Sequence, residues 1–86
     1  MWTRRLTVIG GRTEPEDFVI LRNGQKVGRV HRAPATGVQA FAWYTWSYPA
    51  TRGYADTLED GLHIVREAIR SRWPDDVTRV PTGVPE

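Results

Sequence analysis

The chain has 86 residues, no cysteine, and a net charge of +2 from 12 basic and 10 acidic side chains. That length fits one domain with a thin core, and the absence of thiols excludes disulfide staples and thiolate metal sites. No apolar run approaches the roughly 18 residues of a membrane span, and MWTRRLTVIGGR lacks the apolar core of a secretion signal, so a cytoplasmic protein with no membrane partner is expected.

The first segment, TRRLTVIG, reads as a short strand that stops at Gly10-Gly11. RTEPED, with Pro15 and three acids, reads as a loop. In FVILRNGQKVGRVHR two β-rich runs flank Asn23-Gly24, a pair that tolerates the positive φ angles of a type I′ hairpin. Uninterrupted pairing from that turn would set Arg22 against Gln25, Ile20 against Val27 and Phe18 against Arg29. APATGVQA reads as a connecting loop.

FAWYTWSY follows, with five of the nine aromatic residues in eight positions, and Pro49 ends it. Strand alternation places Phe41, Trp43 and Thr45 on one face and Ala42, Tyr44, Trp46 and Tyr48 on the other. We expect Tyr44, Trp46 and Tyr48 to pack beneath the helix and Trp43 to lie on the open side beside Arg29.

The helix comes next. Asp56 and Thr57 are both suitable N-caps, with Glu59 or Asp60 three residues on. Leu58, Leu62, Val65, Ile69 and Trp73 recur at three- and four-residue steps, Glu59, His63, Arg66, Glu67 and Arg70 fill the outer side, and Pro74 stops the run. Gly61 costs about 1 kcal/mol in a helix interior, which points to close approach of the sheet. The expected fold is α+β, a two-layer domain over residues 1–74 with a three- or four-stranded antiparallel sheet against one C-terminal helix. Residues 75–86 are expected to form a flexible tail.

Charge is unevenly placed. Residues 1–55 carry eight basic residues against three acids, and residues 56–86 carry four against seven. A basic sheet half with interleaved Arg and aromatic residues is a pattern that holds polyanions, cations on phosphates and rings for stacking. The candidate nucleic-acid contacts are Arg22, Lys26, Arg29, Arg32, Trp43 and Arg52, with Tyr44 beside them. Each has a plainer role available: Trp and Tyr fill thin cores, and Arg stems cover strands while their heads stay in water.

Catalysis has little support. His31 and His63 are the only histidines, no nucleophile, metal or phosphate-loop motif is present, and Asp75-Asp76 fall in the tail. Glu14, Glu16 and Asp17 lack the regular spacing of a calcium loop. A non-enzymatic binding domain is therefore expected, with no cofactor, no metal and no small-molecule substrate. Nucleic acid is the expected partner, and the alternative is a protein-interaction module or homodimer using the same sheet face or edge.

At GRV (28–30), WYTWS and GYADTLEDG (53–61) the chain resembles a family of short bacterial proteins of unknown function. That resemblance covers about residues 17–73 and implies a hairpin, a Trp-rich strand, and Gly-x-Ala-x-Thr opening a helix; Gly61 departs from the Ala common in that helix turn. A looser likeness, through Gly53, Thr57 and Leu58, is to three-strand-plus-helix DNA-binding domains of the integrase arm-binding and plant ethylene-response types. Those read the major groove with the sheet face opposite the helix, which would make Arg22, Arg29, Arg32 and Trp43 the contact set.

Overall fold

The computed structural model describes residues 1–33, 40–47 and 49–81. The expected loop at 34–39, Tyr48 and the tail residues 82–86 lie outside the described residues. Five strands follow in chain order: β1 (Trp2–Ile9), β2 (Arg12–Arg22), β3 (Gln25–Arg32), β4 (Phe41–Thr45) and β5 (Arg52–Ala55), before α1 (Leu58–Arg72). They pair as an antiparallel meander in the order β1-β2-β3-β4-β5, with a lone bridge residue at Ser47. The α+β class holds, and the sheet is wider than the three or four strands expected.

Two-residue turns with positive φ close the first two hairpins, at Gly10-Gly11 and at Asn23-Gly24. The RTEPED segment is strand rather than loop. Leu6 pairs with Phe18 while Val8 pairs with Thr13, so β2 bulges around Pro15, and Glu16 there takes a φ of 56°. A bulge is where a strand can hold proline, because the ladder makes no demand on its missing N–H.

A second register shift decides which side chains face the helix. Arg22 pairs with Gln25 as expected, but Leu21 pairs with Lys26 and Ile20 with Gly28, leaving Val27 as the extra residue. Phe18 consequently pairs with Val30 rather than Arg29. Val27 and Val30 both enter the core, and Arg29 turns to the opposite face.

Thr57 caps α1 by accepting from the Asp60 N–H at 3.1 Å, and Trp73 ends it. The helix crosses β3, β4 and β5. Val65 and Ile69 are fully buried against Ile20, Val27, Val30 and Phe41, each contributing about 1.5–3 kcal/mol of burial. Leu58, Leu62 and Trp73 flank them, half-buried. Close seating depends on two glycines without side chains. A Cβ at Gly61 would come 2.9 Å from Val30 Cγ1, and one at Gly28 would come 2.8 Å from Val65 Cγ1.

Residues after Pro74 continue the domain. Arg22, only 2 % exposed, donates to the carbonyls of Trp73, Pro74 and Val77, the last two at 2.6 Å. Gln25 brackets Val80, donating to its carbonyl at 2.6 Å and accepting from its N–H at 2.8 Å. Val80 is itself buried in the core cluster. The segment from Asp75 to Val80 is thus docked where a flexible tail was expected, because two polar side chains of the hairpin satisfy its backbone.

Candidate functional site

Strand pairing sorts the sheet into two faces. The helix side carries Trp2, Phe18, Ile20, Arg22, Val30, Arg32, Phe41, Trp43 and Ala55, in pairs fixed by the register. Trp43 lies on this side and packs against the core, and Tyr44 takes the open side. For Trp43 and Tyr44 this reverses the expected assignment; the expectation for Tyr48 lies outside the described residues. The cause is the bulge at Val27, which sets Val30 under the helix and its partner Trp43 with it.

On the open face the register builds cross-strand rows. One row runs Arg52, Tyr44, Arg29, Val19, Arg5 from β5 to β1. The row beside it runs Tyr54, Ala42, His31, Asp17, and the Thr7 hydroxyl donates to Asp17 Oδ1 at 2.7 Å. Beyond Arg29, Lys26 pairs with Leu21 and Leu21 with Thr3. Neighbouring strands lie about 4.8 Å apart and successive rows about 7 Å apart.

Arg29 grips Asp17 with two parallel hydrogen bonds, Nε to Oδ1 at 2.9 Å and Nη2 to Oδ2 at 2.6 Å. These bonds hold the Asp17 carboxyl below its ordinary range; partial burial opposes them and the Thr7 hydroxyl adds to them. The Arg29 guanidinium is raised in turn. His31 stacks on Tyr44 with ring centroids 5.7 Å apart and planes 8° apart. Its Nδ1 lies 3.0 Å from the Arg32 carbonyl, a contact that serves as a hydrogen bond when that nitrogen is the protonated one, because the carbonyl can only accept. Tyr54, at 59 % exposure on β5, is the most exposed ring among the described residues of the face.

Three of the six expected contact residues, Lys26, Arg29 and Arg52, therefore share this face. The other three do not. Arg22 is consumed by the backbone of residues 73–77 and its guanidinium lies over the Trp2 ring. Arg32 lies over the Phe41 ring and forms a bidentate ion pair with Glu16, holding that carboxyl low. Trp43 is held beneath the helix. Arg5, His31 and Tyr54 were absent from the expected set; alternation along TRRLTVIG and GRVHR would have offered Arg5 and His31, whereas the short β5 gave no such signal for Tyr54.

A groove of about 540 Å³ lies between α1 and β1–β2, with Trp2, Ile20 and Leu62 as its apolar part. The exposed Arg4–Glu59 ion pair, 3.4 Å long, belongs to it, and His63 lies at its margin. Among the described residues no three His, Asp or Glu side chains converge as metal ligands would. No described helix is long and apolar enough to cross a membrane. No family model, curated protein or solved structure matches the chain.

Proposed function

We propose that the chain is a non-enzymatic nucleic-acid-binding domain that uses the open face of its sheet. The supporting observation is the composition of the paired rows. Arg5, Lys26, Arg29 and Arg52 stand there, with Asp17 the one carboxylate among the described residues of those rows, interleaved with His31, Tyr44 and Tyr54. A surface that pairs cations with rings suits a polyanion whose charges alternate with flat bases. Fluorescence anisotropy with labelled DNA and RNA at low and moderate salt tests it, since each neutralised phosphate releases counterions and makes affinity fall with salt. The proposal fails if no nucleic acid binds at tens of micromolar protein in low salt.

A second reading rests on β1. This strand is eight residues long, forms one edge of the sheet, and exposes Leu6 and Val8. Such an edge can pair with a second copy of itself. Light scattering across a concentration range separates the readings: a monomer throughout removes the self-pairing one.

A further inference from the structure

Rows of charge and rings on the open face do more than make it basic; they give it a direction. Arg52, Arg29 and Arg5 come from alternate strands, so they line up across the sheet at intervals of about 10 Å. Tyr54 and His31 form a parallel line one row over, and the Tyr44 ring, from the arginine row, leans onto His31 in a stack. Cations along one line and rings along its neighbour match a polymer with phosphates on one side and unpaired bases on the other.

Sheet width argues against a B-form duplex. The major groove is about 12 Å wide and admits a helix or a two-stranded ribbon. Five strands at about 4.8 Å span about 19 Å from β1 to β5, so this face cannot enter that groove with its arginine row set across the groove's width. A duplex also keeps its bases stacked on each other, leaving exposed rings such as Tyr54 nothing to stack with. Single strands have free base faces, and each base–ring stack is worth about 1–3 kcal/mol.

We propose that the open face takes single-stranded nucleic acid laid across the strands, its phosphates along Arg52 and Arg5 and against the donors that Arg29 has left beside its ion pair with Asp17, and its bases on Tyr54 and the His31–Tyr44 stack. The inference rests on the nucleic-acid reading above and narrows it. The footprint is roughly four nucleotides, the lower end of what one small β domain covers.

The test is anisotropy of end-labelled oligo-dT and oligo-rU of about 12 nucleotides, beside DNA and RNA duplexes of equal length, at low salt. Single strands should bind at least tenfold tighter than either duplex. Tyr54→Ala should weaken single-strand binding about tenfold while Tyr54→Phe keeps it, which separates loss of a ring from loss of the fold. Equal or tighter duplex binding that Tyr54→Ala leaves unchanged overturns the inference and spares the nucleic-acid reading. Absence of binding to all four probes overturns both.

Discussion

Gly53 faces the indole of Trp43 across the β4–β5 pair so closely that a Cβ at residue 53 would come 2.6 Å from Cζ2 and 2.8 Å from Cε2. The ring thus occupies the space a side chain on β5 would need, and this contact helps fix the aromatic strand beneath the helix. Gly53→Ala should destabilise the fold by about 1–3 kcal/mol, the usual penalty for overfilling a packed site, read as a lower urea midpoint. An unchanged midpoint would mean that the indole is free to move aside. Among the described residues buried Trp43 Nε1 also has no hydrogen-bond partner, so Trp43→Phe removes that donor along with ring volume. It should cost less than Trp43→Ala, which loses about 3–5 kcal/mol.

Arg22 should behave as a residue of the fold and not of the interface. Arg22→Met keeps the apolar stem but strips donors from the carbonyls of Trp73, Pro74 and Val77. We expect a loss of about 3 kcal/mol or more in chemical unfolding. Arg22→Lys should recover only part of it, because one ammonium cannot reproduce the fork of a guanidinium.

Asp17 gives the fold an acid limb. Its carboxyl is held low in the folded state by the Arg29 hydrogen bonds, so it binds fewer protons there than in the unfolded chain. The resulting stabilisation is complete well above the unfolded value of about 3.9 and disappears as pH falls through the lower folded value. Urea midpoints of the wild type and Asp17→Asn should therefore differ at neutral pH and converge under acid. A gap that persists unchanged to the acid limit would rule out this linkage.

Arg52 and Arg32 make a matched pair of probes for the binding face. Both are exposed arginines, yet Arg52 lies in the open-face row and Arg32 is engaged by Glu16 over Phe41 on the other side. Arg52→Ala should weaken binding to all sequences alike and reduce the slope of log affinity against log salt by about one. Arg32→Ala should leave that slope unchanged. Equal effects from the two would mean that net charge, not the face, governs association.

Much of the architecture was legible because it depends on local chemistry. Asn23-Gly24 specified its turn, Thr57 and Pro74 bounded the helix, and the spacing from Leu58 to Ile69 marked the buried stripe. The side of Trp43 was not legible. It depends on one residue of slippage at Val27, and a shift of one position in a strand exchanges its two faces. β5 escaped notice for another reason: four residues with one glycine carry almost no periodic signal, and their strand character comes from pairing with β4. The candidate site inherits both errors. Lys26, Arg29 and Arg52 were reachable from composition, whereas setting Arg22 aside required seeing carbonyls more than fifty residues away.

That separation also bears on the order in which the molecule can assemble. The clasps from Arg22 and Gln25 reach partners 51 to 55 positions later in the chain. During synthesis, at about 5–20 residues per second, the hairpin exists for several seconds before Val77 and Val80 emerge. Over that interval a guanidinium destined for burial still faces water, and Ile20 and Val27 await their cover. Closure of this end is therefore a late event that loop-closure entropy slows, and the nascent domain is most exposed to chaperones and proteases just before it.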